Sequence, residues 1–289
     1  MSEVILNGKV ALITGANSGI GRVTARELAL QGFHVFLACR SEEKTLAVLE
    51  EIKQLSHGQA KAEFLPLDLG DLSSVRLCAT LFLARDLPLH VLICNAGLAG
   101  QKGVTASGFE LAFGVCHVGH FLLTRLLLDK LKASAPARIV VVASQAHRHI
   151  SKINYPALRK STQSIGGLKE YGVAKLANLY FAKELARQLE GTKVTTYALH
   201  PGVVASDVWR SVPWPFDLLL KKFMVSVDEG AKTSIYCASS PEVALDTGLY
   251  YQDCKITEPS DAAKDPLAAQ QLWHASDRWL ADIACEYES

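Results

Sequence analysis

Val10-Ala-Leu-Ile-Thr-Gly-Ala-Asn-Ser-Gly-Ile-Gly-Arg22 is the stretch on which the reading of this chain turns. Four residues of apolar, strand-like bias, Val10 to Ile13, run into a turn punctuated by Gly15, Gly19 and Gly21. An alanine- and leucine-rich helical segment follows from Val23 to Leu30. That order predicts a buried parallel strand, a tight turn and a helix whose N-terminus is left open. A Cβ in the turn would hold the backbone away from a pyrophosphate, and Gly21 lets the helix lie close on the sheet. Unpaired N–H groups and the positive end of the helix dipole would then hold phosphate oxygens. The spacing is Gly-x-x-x-Gly-x-Gly, not the Gly-x-Gly-x-x-Gly of the usual dinucleotide fingerprint. On its own the motif therefore leaves open an ordinary glycine-rich βα turn.

Outward from it, strand and helix patterns alternate. Strands are expected at His34–Cys39, Ala62–Asp68, His90–Asn95, Arg138–Ser144 and Val194–Leu199. Between them lie helical patterns: from Ser41, a plausible N-cap, toward Leu55; from Asp71 to Phe82; Phe109–Leu131; and Tyr171–Leu189. Alternation of this kind implies right-handed βαβ crossovers and a doubly wound parallel sheet with helices on both faces. No linker or repeat divides the chain, so residues 1–289 read as one Rossmann-type α/β domain. A segment at 206–226 and a C-terminal helix at 265–283 complete it.

Composition narrows the function classes. The chain is 49% hydrophobic and 20% charged with net charge +1, which gives no electrostatic reason to expect a nucleic-acid partner. Its seven cysteines form no C-x-x-C pair and several sit in apolar runs, pointing to a reducing compartment and no zinc site. His147 and His149 lack a third ligand nearby in sequence, so no metal is expected there either. The start has no basic region followed by a long apolar run, and no uninterrupted apolar stretch reaches the ~18 residues of a spanning helix. The expectation is a cytoplasmic protein, at most peripheral at a membrane surface.

Chemistry enters at three places. Where the His34–Cys39 strand is expected to end, an acidic residue would bind the adenosine ribose of NAD, but the chain has Cys39 followed by Arg40. A guanidinium can pair with a 2′-phosphate, and Arg22 offers a second positive charge, so NADP is favoured over NAD; the bland alternative for Arg40 is a solvated loop cation. Tyr171 and Lys175 stand at i and i+4, one helical turn apart on one face. A nearby lysine stabilises a phenolate and lowers a phenol pKa from ~10, making proton exchange with an alcohol or carbonyl practicable. Ser144 closes the Arg138–Ser144 strand, where an open α/β sheet exposes ligand-binding side chains.

Thr14-Gly-x-x-x-Gly-Ile-Gly21, Asn95-Ala-Gly97, Ser144, Tyr171-x-x-x-Lys175 and Pro201-Gly202 stand in an order that resembles the short-chain dehydrogenase/reductase family. Leu37-Ala-Cys-Arg40, His120-Phe-Leu-Leu-Thr124, Ser144-x-Ala-His147, Lys175-Leu-Ala-Asn178 and His200-Pro-Gly-Val-Val204 are similar to its retinol dehydrogenase and WW-domain oxidoreductase branch. The resemblance implies that Tyr171 is the general acid/base, that Lys175 binds the nicotinamide ribose and lowers the tyrosine pKa, and that Ser144 orients a substrate carbonyl. It implies cofactor contacts from the glycine loop (Gly15, Asn17, Ser18, Gly19, Ile20, Gly21, Arg22) and from Arg40. Asp68 and Leu69 would lie at the adenine, Asn95, Ala96 and Gly97 at the sheet edge, and Pro201, Gly202 and Val204 beside the nicotinamide. It also implies that the Phe109–Leu131 and Tyr171–Leu189 helices pair in a homodimer.

Two features depart from the family pattern. Cys116 stands where the branch has an asparagine that supports a water-linked proton relay to the lysine, and a thiol cannot copy an amide. Water or His117 would have to complete that relay, or turnover is slow. The residues between Ser144 and Tyr171 include an insertion, Ile150 to Gly167, expected as a basic, polar surface excursion. Beyond His200-Pro-Gly, the apolar groups Trp209, Trp214, Phe216, Leu219, Phe223 and Met224 are candidates to line a pocket for a small-molecule substrate, a bulky apolar carbonyl or alcohol. Alternatively they pack their own core, or form an interfacial membrane patch with Lys221 and Lys222. The expected activity is NADP(H)-dependent hydride transfer to or from such a substrate. The rival is a nucleotide-bound regulatory or scaffolding protein.

Overall fold

The computed structural model of the chain describes residues 6–202 and 226–288. In chain order its strands are β1 (Val10–Thr14), β2 (His34–Cys39), β3 (Ala62–Pro66), β4 (Val91–Cys94), β5 (Ala137–Val142), β6 (Val194–His200), β7 (Leu249–Gln252) and β8 (Lys255–Ile256). They form one sheet in the order β3-β2-β1-β4-β5-β6-β7-β8, parallel throughout except for the antiparallel β7–β8 pair. The doubly wound α/β architecture expected from the alternation is the one observed.

Each central strand is buried on both faces because its side chains alternate between two apolar layers. Val10 and Leu12 of β1 enter one layer, and Ala11 and Ile13 enter the other. The helices, in chain order, are α1 (Gly19–Leu30), α2 (Glu42–Leu55), α3 (Leu72–Leu83), α4 (Leu111–Ala133), α5 (Leu168–Gln188), α6 (Val227–Ser239), α7 (Asp261–Lys264) and α8 (Pro266–Glu288). Leu28 of α1, Ile52 of α2 and Cys237 of α6 close one face; Val75 of α3, Phe121 of α4, Phe181 of α5 and Trp273 of α8 close the other. Ser41 and Asp71 cap α2 and α3 as their sequence positions predict, accepting the N–H groups of Lys44 at 3.4 Å and Ser73 at 2.9 Å.

Some boundaries differ from the sequence reading, each for a local reason. α1 begins at Gly19, not Val23, so Gly19 and Gly21 lie inside the first helical turn. α4 contains a π-helical turn over Gly114–Val118, which sets Cys116 and His117 into the middle of the layer. α5 starts at Leu168 because Gly167 takes the left-handed conformation, φ +64°. The 150–167 excursion is more than a surface loop: Ile150, Leu158 and Thr162 are buried, and Thr162 hydrogen-bonds Gly103 and Glu110. β7, β8 and α6 were not evident in the sequence, since a four-residue strand and a small-residue helix show little periodicity.

α4 has the length and the mean hydropathy, 1.6, of a membrane-crossing helix, but 72% of its most apolar window is buried inside the molecule. It is a core helix. Part of its cover is α8, which lies against α4 and α5. Trp273 meets Phe121 edge-on at 4.9 Å and stacks on Phe181 at 6.1 Å, while Trp279 packs on Phe109 and Phe113. Arg125 lies over the Trp273 ring and pairs with Asp277 at 3.6 Å. The two helices that the resemblance assigns to dimer pairing are thus covered from within, and pairing through this face would require α8 to leave. Truncating Trp273 to alanine is expected to cost about 3–5 kcal/mol, read as a lower midpoint in urea unfolding with the slope unchanged.

Candidate active site

The sheet order reverses between β1 and β4, and the carboxyl ends of these strands open a crevice there. Thr14 spans it. Its Oγ1 accepts the N–H groups of Asn95 and Ala96, each at 3.0 Å, and the Asn95 side-chain amide donates to the Thr14 carbonyl at 2.8 Å. His120 stands behind this hydroxyl, with Nε2 at 2.7 Å from it and Nδ1 at 3.0 Å from the Cys116 carbonyl. A carbonyl can only accept, so Nδ1 carries the proton and Nε2 takes that of Thr14. Burial holds this imidazole neutral, its pKa pushed down to about 4.

The glycine turn is shaped by contact. Gly15 and Gly19 have φ of +65° and +52°, and a Cβ on Gly21 would fall 2.3 Å from the Gly15 carbonyl oxygen. Ser18, at the N-cap of α1, makes no side-chain cap, so the first amides of that helix are not occupied by its own side chain. A pyrophosphate fits this cradle.

At the other end, β5 stops at Val142 and delivers Ser144, whose Oγ accepts the Ala146 N–H at 3.2 Å. α5 carries Tyr171 and Lys175, both buried. Gly172 brings α5 onto the serine turn, since a Cβ there would stand 3.0 Å from the Ala146 oxygen. The Ser144 hydroxyl faces the Tyr171 phenol and favours its ionised form. Lys175 Nζ lies 5.5 Å from the centre of the tyrosine ring and donates to the Val142 carbonyl at 2.7 Å, which Asn178 also reaches at 3.1 Å. Lys175 and Ser144 both lower the Tyr171 pKa, but burial raises it by more, so the phenol stands above its ordinary value. The expected net lowering is corrected: the lysine acts in the expected direction and desolvation outweighs it.

These groups share one cleft of about 1060 Å³. The whole glycine loop from Gly15 to Gly21, Arg40, Asp68, Leu69, Asn95, Ala96, Gly97, Ser144, Tyr171, Lys175, Pro201 and Gly202 line it, with Ala16 the one loop residue off its wall. Arg22 is not among them. Its guanidinium is held by Glu51 at 2.6 Å, a carboxylate that also meets Arg26, and the expectation of a second phosphate cation there is corrected. Lys44, one turn into α2, lines the cleft beside Arg40 instead. Sequence reasoning passed over it, although Arg40-Ser-x-x-Lys44 spacing places both at one strand-to-helix junction. Val204 and residues 206–225 lie outside the described residues.

Cys116 is buried on α4, with its Sγ 3.9 Å from the Leu98 carbonyl oxygen. A Cβ on Gly97 would stand 3.3 Å from this sulfur and 3.4 Å from Lys175 Nζ, so thiol and ammonium approach Gly97 together. His117 turns the other way, to Ser276 at 3.0 Å among Phe113, Phe121 and Phe181. It does not reach the lysine, which corrects the expectation that it could complete the relay. Burial lowers its pKa to about 3.

Residues 9–214 match the short chain dehydrogenase family. The chain is a short-chain dehydrogenase/reductase. Human Retinol dehydrogenase 12 is 45% identical over 278 residues, covering 95% of this chain and 87% of that protein. The WW domain-containing oxidoreductase of Danio rerio is 43% identical over 288 residues, covering 96% and 69%. A solved structure of an uncharacterised protein from Mycobacterium paratuberculosis superposes with a TM-score of 0.75 at 33% identity, covering 96% of this chain and 94% of that one. Membership makes the chain an NAD(P)-dependent oxidoreductase of the retinol dehydrogenase-like branch. Gly21→Ala is expected to abolish NADPH binding in a fluorescence titration and to lower the melting temperature, because the added methyl collides with backbone and not with a movable side-chain end.

Proposed function

We propose that this protein reduces apolar ketones or aldehydes at the expense of NADPH, with Tyr171 as the proton donor. The observation that carries the reading is the meeting of a phenol, a serine hydroxyl and a lysine ammonium in one cleft with the glycine turn. The nicotinamide, when bound, supplies or takes up a hydride. Every other task falls to the chain's own residues. The α1 N-terminus holds the pyrophosphate, Arg40 and Lys44 hold the 2′-phosphate, and Asp68 and Leu69 face the adenine. Asn95, Ala96 and Gly97 flank the cofactor at the sheet edge, with Pro201 and Gly202 on the nicotinamide side. Lys175 binds the nicotinamide ribose. Ser144, one lone pair engaged by the Ala146 N–H, turns its proton to the substrate oxygen. Tyr171 donates its phenolic proton to that oxygen as charge develops on it.

Leu98, Ile150 and Leu168 line the cleft and favour an apolar substrate body. Retinoid, steroid and lipid carbonyls share that character, and the retinol dehydrogenase relatives support it. Cells hold NADPH largely reduced, which favours carbonyl reduction as the direction. A slow-turnover, nucleotide-holding reading is favoured by one observation, the thiol of Cys116 in place of the branch asparagine. Cys116→Asn raising kcat at least tenfold, with NADPH affinity unchanged, would support a relay weakened by the thiol.

Tyr171→Phe is expected to lower kcat for carbonyl reduction by about a hundredfold or more while NADPH still binds; an unchanged rate would remove the mechanism. Because the phenol's pKa is raised, its protonated form persists through neutrality. Reduction should then stay level with pH and fall only above about pH 10, while alcohol oxidation rises over the same range. Arg40→Ala and Lys44→Ala should each weaken NADPH by about tenfold or more without weakening NADH, and Arg22→Ala should change neither. Equal wild-type affinities for the two cofactors would overturn the NADP preference.

A further inference from the structure

We infer that His147 is a positioning residue: as a neutral imidazole protonated on Nδ1, it spans from the Ser144 carbonyl to the Ser260 amide and holds the serine turn against Tyr171. This inference rests on the reading of Ser144 and Tyr171 as the pair that handles the substrate oxygen.

Ser144 lies at the junction of β5 with a 3-10 turn, Gln145–His149. Its carbonyl accepts the His147 backbone N–H at 3.2 Å and meets His147 Nδ1 at 2.6 Å. Since the carbonyl has no proton to give, Nδ1 must carry one. On the far side of the ring, Nε2 accepts the Ser260 N–H at 3.1 Å, which requires a lone pair there. Two bonds of opposite polarity admit one tautomer and exclude the imidazolium. The ring is fully buried and meets Tyr250 edge-on at 5.4 Å. Burial lowers its pKa and so favours the neutral form.

The turn is held from both sides. Toward α5 it rests on Gly172, next to Tyr171, with the Ala146 oxygen and Ile150 at the position a Cβ would claim. Away from α5 it is strapped to the end of β7 and the segment after it: Gln145 to Gln252 at 2.9 Å, Arg148 to the Glu258 carbonyl at 2.6 Å, and His147 to Ser260. The first two bonds involve exposed side chains, which water can replace. The third is enclosed, and it is the one that touches the Ser144 peptide. His147 is therefore the rigid spacer between the strap and the serine. With that spacer gone, the turn can draw back from α5 and lengthen the Ser144–Tyr171 contact. None of these bonds involves the glycine loop or Arg40, so the cost falls on turnover and not on cofactor affinity.

The test uses the full chain with NADPH and all-trans-retinal as the carbonyl probe. His147→Phe removes both bonds. His147→Asn keeps an N–H near the Nδ1 position, and Ser260→Pro removes the strap's N–H at a residue whose φ of −66° already suits proline. Expected are a kcat loss of tenfold or more in His147→Phe and a smaller loss in Ser260→Pro. His147→Asn should recover at least a third of the wild-type kcat, and NADPH Kd should stay within twofold in all three. The 15N-histidine spectrum of the wild type, assigned by the signal lost in His147→Asn, should show the Nδ1-protonated tautomer. An Nε2-protonated ring, a wild-type kcat in His147→Phe, or parallel losses of kcat and NADPH affinity that asparagine does not rescue would each overturn the inference. If the wild type reduces no retinal, the proposed reaction fails on this probe, and the tautomer and Ser260→Pro amide-exchange rates at residues 145–149 still decide the clamp. Should His147→Phe not fold, the asparagine and proline variants carry the comparison.

Discussion

The Thr14 hydroxyl joins β1 to the turn after β4 at the point where the sheet order reverses, and the rest of the cleft is built around that join. Parallel strands running apart at a switch point leave their last peptide groups facing an opening, with no neighbouring strand to satisfy them. Thr14 satisfies two of them at once, and Asn95 returns a third bond to the β1 carbonyl. His120 fixes the direction of the hydroxyl by taking its proton. Because the tie is complete on both sides, the floor of the cleft is set before any ligand arrives, and the glycines above it can approach as closely as contact permits.

At the catalytic end the balance is between desolvation and charge. An ammonium beside a phenol favours the phenolate, yet both groups are buried, and a phenolate loses more by leaving water than Lys175 returns. The same burial that poises Tyr171 as an acid also keeps His117, His120 and His147 neutral. Their roles differ only by what each nitrogen meets: an aromatic cluster and Ser276 for His117, the Thr14 tie for His120, the serine turn for His147. Lys175, buried beside the phenol, donates to the Val142 carbonyl.

How much could be read without coordinates is clearest at Arg40 and Arg22. The end of a buried strand is set by a run of apolar residues, so Arg40 at the cleft was legible. Arg22 looked equivalent in sequence, but whether a surface guanidinium faces a ligand or a carboxylate depends on what the next helix carries. Glu51 is 29 residues away in the chain and adjacent in space. His117 failed for a related reason: the π turn in α4 rotates residues 114–118 relative to a regular helix, and no periodicity announces it. The cover that α8 places over α4 and α5 depends on the contacts of Trp273 with Phe121 and Phe181, residues far from it in the chain.

What the amino-acid order determined alone was local: the glycine turn and its helix, the alternation that demands a doubly wound sheet, the caps at Ser41 and Asp71, and the one-turn separation of Tyr171 from Lys175. These follow from steric rules and short-range periods that act within a few residues. Which face each cation and imidazole presents, whether the phenol's pKa rises or falls, and which helix covers which were decided only when distant segments packed together. Desolvation and hydrogen-bond partnership belong to the assembled environment, and no single segment carries them.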